Sequence, residues 1–326
     1  MKAGVIFSGQ GAQFPGMGNE YYNEYESSRE IFDLAGEDIK HMCFEGSAEQ
    51  LRETKVTQPT VFTVAMASWA ALNEELSKNS IFNDRIEITG VAGFSLGEYG
   101  AYTAAEVFKD FPMGLDLVIH RGLFMSEAGQ YEDGSPRGTM AAVIGNRKKI
   151  IEVVDDARGD DVLEAVNFNS PNQTAVAGDE VAIKRLREIA KANKLKAIPL
   201  SVSTAFHSPI MNKASEALYT YVADVQFSEP KYKLYSNTTG GDLMIDKIEN
   251  TSTSEHIREK IARQVNNPVY WQETIENMAA DGIELFIETG PGKTLSNMVK
   301  KILPNAKTFC ISEPEGLREL IKFVVG

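Results

Sequence analysis

A serine between two glycines is the first indication of chemistry in this sequence. Gly93-Phe94-Ser95-Leu96-Gly97 lies between a β-branched run typical of a buried strand and a run typical of a helix. Such a tight turn needs glycine at both flanks, and it projects the serine from the sheet edge with the next amide at a helix N-terminus. An amide there can stabilise an oxyanion. An ordinary glycine-rich turn is the alternative, but the context favours Ser95 as a nucleophile.

A nucleophilic serine requires a base, and the chain contains four histidines. We favour His207, because Ser208 and Pro209 after it are typical of the N-cap and first position of a helix. The positive end of that helix dipole would favour the neutral imidazole that a base needs. The alternative is a polar loop histidine without a catalytic role.

Arg121 stands on an apolar stripe of a predicted helix. Its neighbours three and four positions away are Leu117, Val118, Phe124 and Met125. A buried guanidinium without a partner is strongly destabilising, so it needs a carboxylate or comparable acceptors. Two partners are open: an acidic side chain elsewhere in the fold, or a carboxylate carried by the substrate and held by two parallel hydrogen bonds.

Two glycine-rich segments resemble nucleotide-binding motifs but lack a required glycine. Gly292-Lys293-Thr294 matches the end of a P-loop, yet Ile287 occupies the position of its first glycine. Gly9-Gln10-Gly11 begins like a dinucleotide fingerprint, yet Phe14 occupies the third glycine position. We therefore expect no nucleoside triphosphate, no NAD and no other cofactor.

Composition excludes several classes of protein. The 326 residues carry 46 acidic and 33 basic side chains, a net charge of −13. This balance argues against binding to nucleic acid or to an anionic membrane, since both require a basic face. No apolar run reaches the ~20 residues of a transmembrane helix. Cys43 and Cys310 lie far apart without metal-ligand spacing, so we expect no metal, no disulfide framework and a cytoplasmic location.

The elements that must position these residues alternate between strands and helices at both ends of the chain. This alternation predicts an open, mostly parallel α/β sheet. The middle of the chain predicts elements in the order βαββαβ, which is the split ferredoxin-like unit. We therefore expect an inserted subdomain at 129–203 within a large domain formed by 1–128 and 204–326. Pro59 is predicted to open a buried helix, and 246–255 to form a surface loop.

Eight segments, taken together and in chain order, resemble the malonyl-CoA:acyl-carrier-protein transacylase family over nearly the whole sequence. No single segment is specific, but the combination is. The segments are Phe7-Ser8-Gly9-Gln10-Gly11-Ala12-Gln13, Thr57-Gln58-Pro59, Gly93-Phe94-Ser95-Leu96-Gly97-Glu98-Tyr99, His120-Arg121-Gly122, Asn167-Phe168-Asn169-Ser170-Pro171, Ala205-Phe206-His207-Ser208-Pro209, Gln264-Val265-Asn266-Asn267-Pro268-Val269 and Glu288-Thr289-Gly290-Pro291-Gly292-Lys293.

The resemblance implies a fold and a set of roles. The fold would be an α/β-hydrolase-like large domain with an inserted ferredoxin-like subdomain. Ser95 would be the nucleophile, and His207 would be the base and later the acid. Arg121 would hold the malonyl carboxylate, and the backbone amides of Gln10 and Leu96 would form the oxyanion hole.

The resemblance also implies which residue orients His207 and which residues affect the choice of acyl group. Gln264 would orient His207 through its main-chain carbonyl, where a hydrolase would use Asp. Phe206 is typical of members that select malonyl over methylmalonyl, since a phenyl ring beside the base leaves little room for an α-methyl group. The family often has His at the position of Phe94 and Pro at that of Ser8, so Phe94 bears on pocket shape.

The implied activity is transfer of a malonyl group from malonyl-CoA to the phosphopantetheine thiol of acyl carrier protein, in a ping-pong cycle through a malonyl-serine. The CoA thioester is a substrate, and the pathway would be fatty-acid synthesis. A free-standing acyltransferase of a polyketide assembly line would use the same residues. An acyl-thioester hydrolase would more naturally lack Arg121 and give His207 an acidic partner, and a binding module would not need the three groups together.

An acidic carrier protein meeting a chain of net charge −13 needs a local basic patch. We expect two clusters to flank the cleft between the two domains, with a solvated helix face as the alternative. We also expect a monomer. The first cluster contains Lys184, Arg185, Arg187, Lys191, Lys194 and Lys196, and the second contains Lys300, Lys301 and Lys307.

Overall fold

The computed structural model describes all 326 residues, and its nine strands form two sheets. The strands of the larger sheet are β1 (Lys2–Phe7), β2 (Glu87–Gly93), β7 (Lys233–Tyr235), β8 (Leu285–Thr289) and β9 (Lys307–Cys310). Those of the smaller sheet are β3 (Thr139–Ile144), β4 (Leu163–Ser170), β5 (Gln173–Gly178) and β6 (Lys196–Pro199). The larger sheet is parallel throughout in the order β7-β2-β1-β8-β9.

Fourteen α-helices connect and cover these strands. Those before the smaller sheet are α1 (Asn19–Glu24), α2 (Glu26–Ala35), α3 (Glu37–Glu45), α4 (Thr54–Lys78), α5 (Ser80–Arg85), α6 (Gly97–Ala104) and α7 (Phe111–Ala128). The others are α8 (Arg147–Arg158), α9 (Glu180–Ala192), α10 (Asn212–Tyr221), α11 (Thr253–Gln264), α12 (Trp271–Ala280), α13 (Thr294–Ile302) and α14 (Pro314–Val325). Two short 3-10 helices span Gln50–Arg52 and Pro209–Met211.

The parallel sheet is buried because helices cover both of its faces. β1 lies at its centre, and every residue of that strand after Lys2 is buried. A continuously apolar strand is typical of a parallel sheet whose two faces both pack against helices. The carboxyl ends of β1, β2 and β7 meet at one edge, so the residues after each strand lie close together there.

The smaller sheet has the strand order β4-β5-β3-β6 and is antiparallel. With its two helices it forms the expected βαββαβ unit. Residues alternate between its faces: Ala141 and Val143 pack among the residues of α8 and α9, whereas Met140 and Ala142 point to the other side. Helices α8 and α9 therefore cover only the face that is turned away from the large domain.

The two connections to this unit contact each other. α7 ends at Ala128, and the Thr204 hydroxyl donates to the Arg137 carbonyl at 2.7 Å. A fold with a parallel sheet and an inserted ferredoxin-like unit is confirmed. The boundaries of the inserted segment 129–203, and of the flanking parts 1–128 and 204–326, stay a prediction that these contacts support.

Two local predictions were wrong. The helix expected to open at Pro59 begins at Thr54, because the Glu53 carbonyl accepts the Val56 and Thr57 amides at 2.8 Å and starts the helix a full turn earlier. The loop predicted at 246–255 ends early. Ser252 caps α11 by accepting the Glu255 amide, and the helix begins at Thr253.

Candidate active site

Ser95 lies in a strained turn between β2 and α6. Its φ is +52°, a left-handed conformation that non-glycine residues rarely adopt. The flanking glycines are required by close approach: a Cβ on Gly93 would lie 1.9 Å from the Gly97 carbonyl carbon, and one on Gly97 would lie 2.0 Å from the Phe7 carbonyl oxygen. Any larger residue at either position would collide with backbone atoms and displace them, so glycine is needed at both flanks, as predicted.

His207 contacts the serine directly. Its Nε2 lies 2.7 Å from Ser95 Oγ, and its Nδ1 lies 3.0 Å from the Gln264 carbonyl and 3.1 Å from the Asn267 carbonyl. Two carbonyl acceptors at Nδ1 place the proton there, so Nε2 is free to accept the serine proton. The Gln264 contact matches the prediction, whereas Asn267 had not been singled out.

The electrostatic setting keeps this imidazole neutral. Burial is the main cause that lowers the pKa of His207 to about 4, and the positive charge of Arg121 lowers it further. Ser208 caps the 3-10 helix after it by accepting the Ile210 amide, as expected. The side chain is therefore present as a base over the neutral pH range.

Arg121 is buried and forms no salt bridge. Its side chain is 1 % exposed, and it donates to Gln58 Oε1 at 2.8 Å, to Gln264 Oε1 at 2.9 Å and to Ser95 Oγ at 3.1 Å. Its Nε has no partner, and its guanidinium lies 5.3 Å from the Tyr99 ring centre. The acidic partner considered as an alternative is not there: neutral oxygens hold a cation that points at the serine.

The two amides assigned to the oxyanion hole are available. Neither the Gln10 nor the Leu96 backbone N–H donates a hydrogen bond within the protein. Gln10 lines the same cleft as Ser95, and Leu96 follows the serine directly at the start of α6. The Gln10 side chain donates to Thr54 Oγ1 at 3.4 Å. Free amides near the serine suit an oxygen that becomes negatively charged.

Ser95 opens into a cleft of about 240 Å³ between the large domain and the smaller sheet. Phe206 lines it beside His207 and is 7 % exposed. Phe94 also lines it and packs edge-on against Trp271, with ring centres 5.5 Å apart. Further lining residues come from both domains: Ser8, Gly9, Gly11, Ala12, Met125, Met140, Ala142, Asn167, Asn169, Gln173, Ala175, Leu200, Val202, Thr294, Leu295 and Met298.

Asn237 is a site residue that sequence reasoning missed. Its Oδ1 accepts the Ser95 amide at 2.7 Å, and its Nδ2 donates to the Gly93 carbonyl at 2.6 Å. It follows β7, which is the neighbour of β2 in the sheet. The available signal is a polar pair, Ser236 and Asn237, directly after β7, but only the strand order places this pair beside the serine.

The first basic cluster does not flank the cleft. Helix α9 packs on the face of the smaller sheet opposite the cleft, so the expectation is wrong for Lys191 and the other basic residues of that helix. Lys194 and Lys196 follow the helix and are exposed, and their role stays a prediction.

The second basic cluster is better placed. Thr294 and Met298 of α13 line the cleft, and Lys301 lies on the same helix face, three residues after Met298. Lys300 and Lys301 are exposed at the end of this helix. Lys301 continues the cleft wall onto the surface, whereas Lys300, two residues after Met298, points to the other side of the helix.

Taken together, the groups can perform acyl transfer to a serine. His207 and Arg121 both contact Ser95 Oγ, and the free amides of Gln10 and Leu96 lie in or beside the same cleft, an arrangement that suits covalent acyl catalysis. No group of three or more His, Cys, Asp or Glu side chains is placed to bind a metal ion. Every helix is too short or too polar to cross a membrane.

Comparisons with known proteins agree with this chemistry. The profile of the acyl transferase domain family matches residues 5–311. A malonyl CoA-acyl carrier protein transacylase of Bacillus subtilis is 34% identical, over 98% of this chain and 96% of that protein. A polyketide biosynthesis malonyl CoA-acyl carrier protein transacylase of the same organism is 31% identical, over 93% and 97%. The crystal structure of a malonyl CoA-acyl carrier protein transacylase from Clostridium perfringens is similar with a TM-score of 0.88 at 31% identity, covering 99% of this chain and 97% of that one.

Proposed function

The chain belongs to the acyl transferase domain family, and on that premise we propose that it transfers a malonyl group from malonyl-CoA to the phosphopantetheine thiol of an acyl carrier protein. One observation carries the choice of acyl group. Arg121 is a buried cation without a carboxylate partner, and its Nη2 lies 3.1 Å from Ser95 Oγ. The carboxylate carbon of a malonyl ester is three bonds from that oxygen, so the ester can supply the missing anion.

The first half of the cycle loads the serine. His207 Nε2 takes the Ser95 proton as Oγ attacks the thioester carbonyl, and the amides of Gln10 and Leu96 stabilise the resulting oxyanion. When the intermediate collapses, the carbon–sulfur bond breaks, and the imidazolium returns its proton to the CoA sulfur. The products are free CoA and a malonyl-serine.

The second half repeats these steps with a different thiol. His207 takes the proton of the phosphopantetheine thiol, and the sulfur attacks the malonyl ester. Collapse of this intermediate breaks the ester bond and returns the proton to Ser95 Oγ. The neutral carbonyls of Gln264 and Asn267 keep the histidine oriented throughout, in place of the acidic group of a serine hydrolase.

Specificity comes from the charge and the walls of the cleft. An acetyl group offers Arg121 no anion, so a carboxylated acyl group is selected. Phe206 stands beside the base and leaves little room for an α-methyl group, which favours malonyl over methylmalonyl. One methyl group in a pocket is worth about tenfold to a hundredfold in such a choice.

The carrier protein docks, in this proposal, on the side of α13. Lys300 and Lys301 are exposed and unpaired at the end of this helix, and Lys301 continues the wall of the cleft. They would attract an acidic surface toward the opening through which the phosphopantetheine arm enters.

The test is the intact mass of the protein after brief exposure to malonyl-CoA. The wild type should gain one malonyl group, and Ser95→Ala should gain none. A parallel exposure to acetyl-CoA should give little adduct. A malonyl adduct that persists on Ser95→Ala would contradict the assignment of the nucleophile.

A polyketide pathway is the second candidate, because the polyketide relative is nearly as similar as the first. The two candidates share every residue of the site. Comparing kcat/KM for carrier proteins of the two pathways distinguishes them, and fatty-acid synthesis predicts the higher value with the fatty-acid carrier protein.

A further inference from the structure

Two side chains hold the turn that carries Ser95 from outside: Gln264 Nε2 donates to the Ser95 carbonyl at 2.6 Å, and Asn237 makes two further hydrogen bonds to the turn. Asn237 accepts the Ser95 amide at 2.7 Å and donates to the Gly93 carbonyl at 2.6 Å, so one carboxamide joins the first glycine of the turn to the serine at its centre. The side chain is fully buried. It does not contact the Ser95 hydroxyl, so it takes no part in the proton transfers.

We propose that Asn237, itself held by Glu98, is a positioning residue that fixes the direction in which Ser95 points its hydroxyl. The inference rests on the proposed function, since it concerns the rate at which that serine is acylated. Asn237 is a residue to which the transfer mechanism itself gives no role.

The strand pairing explains why a side chain is needed. β2 and β7 pair in parallel from Gly90 to Ala92, with Ala92 opposite Tyr235. At Ser95 the chain turns into the left-handed region and leaves the sheet, so the backbone of β7 can no longer satisfy it. Asn237 continues the pairing with its side chain. A residue in this conformation persists only where its surroundings hold it.

Glu98 holds Asn237 in turn. Its Oε1 accepts the Asn237 backbone amide at 2.8 Å, and the side chain is 1 % exposed. Burial raises the pKa of Glu98 to about 7, which reflects how completely the carboxyl group is withdrawn from water. Glu98 belongs to the first turn of α6, so it connects the helix after the serine to the strand beside it.

The first experiment compares Asn237→Ala with Asn277→Ala. Asn277 also donates to a backbone carbonyl, that of Gly240, in the segment after Asn237, but it does not contact the turn. The rate of Ser95 acylation by malonyl-CoA is measured in a single turnover, with the half-saturating concentration and the melting temperature. We expect Asn237→Ala to lower the maximal rate about tenfold to a hundredfold at an unchanged half-saturating concentration, the scale of a small misplacement of a reacting group. Asn277→Ala should leave the rate near that of the wild type.

The second experiment uses Asn237→Asp to restore the missing donor by pH. A neutral carboxyl group can donate to the Gly93 carbonyl and accept the Ser95 amide, whereas a carboxylate would repel that carbonyl. Burial and the nearby Glu98 both raise the pKa of this carboxyl group, while Arg121, which contacts the serine, lowers it. The acylation rate of this variant, expressed as a fraction of the wild-type rate at the same pH, should therefore be highest at low pH and fall as the pH rises. The same fraction for Asn237→Ala should show no such trend. His207, whose pKa is about 4, is present in all three proteins, so its titration does not distinguish them.

The outcomes separate this inference from the proposed function. If the wild type forms no malonyl adduct, the proposed function fails. If the wild type is acylated and Asn237→Ala is acylated equally fast, the positioning role is wrong. It is also wrong if Asn277→Ala slows acylation as much as Asn237→Ala, or if the Asp variant follows the pH dependence of the Ala variant.

Discussion

At the scale of single residues, the site is organised around one oxygen atom. Ser95 Oγ lies 2.7 Å from the base His207 and 3.1 Å from the cation Arg121. The cation affects both neighbours: it lowers the pKa of the imidazole, and it offers a binding partner to whatever acyl group the serine acquires. One buried charge thereby contributes to keeping the imidazole neutral and, in the proposed function, to choosing the substrate.

Removing this charge should change specificity more than activity in general. Arg121→Ala should lower malonyl transfer by roughly 30-fold to several-thousand-fold, equivalent to ~2–5 kcal/mol for a buried charged contact. Acetyl transfer should hold or rise, because an acetyl group makes no such contact. Initial rates with malonyl-CoA and acetyl-CoA measure the two effects side by side.

A charge-conserving variant provides the control. Arg121→Lys keeps the positive charge but cannot form two parallel hydrogen bonds with a carboxylate, so it should retain only part of the malonyl preference. Equal losses for both acyl groups in Arg121→Ala would mean that the side chain supports the structure rather than selects the substrate.

The pH dependence of acylation should report the lowered pKa of His207. The imidazole is a base only when neutral, so a pKa of about 4 keeps it active at a more acidic pH than usual. At pH 5.5 an imidazole of ordinary pKa is about nine-tenths protonated, and acylation would be about tenfold slower than at pH 7.5. We expect nearly equal single-turnover rates at the two values.

Glu98 is the second group that can titrate in this range, because burial raises its pKa to about 7. The variant Glu98→Gln has no titrating group at this position, so it separates the contribution of Glu98 to the pH dependence of acylation from that of His207. A rate step present in the wild type and absent from this variant belongs to Glu98. A step near pH 6.5 that remains in the Glu98→Gln variant would contradict the lowered pKa of His207.

At the scale of elements, most strands and helices followed from local pattern. The apolar run of β1 is visible in the sequence, and so is the tight turn that ends β2. The start of α4 is not predictable from Pro59, because a proline within the second turn of a buried helix looks like one that opens the helix. A cap such as Ser252 is not distinctive within a polar run, where every neighbour is also polar.

The site was predictable where one residue type dictates the chemistry. Ser95, His207 and Arg121 each require a particular environment, and the sequence around each one supplied it. Asn237 was not predictable in this way, because its role depends on β7 lying next to β2, and strand order is a property of the whole sheet. The predicted position of the α9 lysines beside the cleft was wrong for the same reason, because the sequence of a basic helix does not indicate which face of the sheet the helix covers.

The position of α13 relative to the cleft gives a prediction about the carrier protein. Reversing both charges in Lys300→Glu/Lys301→Glu should raise the KM for the carrier protein by about twofold to thirtyfold, the range for two exposed charge pairs. The maximal rate of Ser95 acylation by malonyl-CoA should change little. Steady-state kinetics with varied carrier protein give the first value, and single-turnover acylation gives the second.

The matched control reverses charges on the other side of the subdomain. Lys184→Glu/Lys191→Glu makes the same change in net charge, but both residues lie on α9, which packs on the far face of the smaller sheet. It should leave the KM for the carrier protein closer to the wild-type value. A larger effect from this pair than from the α13 pair would move the docking surface to the subdomain.

At the scale of the whole molecule, the reacting groups gather where the two parts of the chain join. Arg121 lies on α7, the last helix before the smaller sheet, and His207 follows the last strand of that sheet. Ser95 projects from the edge of the larger sheet between them. All three residues lie outside the inserted segment 129–203, so a movement of the smaller sheet would change the wall of the cleft that Met140 and Ala142 form, and not the distances between the three.

The net charge of the molecule and its local charges predict opposite responses to salt. A net charge of −13 repels an acidic carrier protein, and added salt would weaken that repulsion and speed the reaction. On the proposed docking surface, the exposed lysines at the end of α13 would attract the same protein, and added salt would weaken that attraction and slow the reaction. A carrier protein docked there would bring its acidic groups within the ~8–10 Å over which charges interact at physiological salt, whereas most of the acidic surface of this chain would be farther away. The local attraction should therefore dominate, and kcat/KM for the carrier protein should fall as salt is added, while the maximal rate of acylation by malonyl-CoA should respond less. Repeating the series with Lys300→Glu/Lys301→Glu should reverse the sign of the salt effect. A wild-type rate that rises with salt would show that the net charge, and not the α13 lysines, governs the encounter.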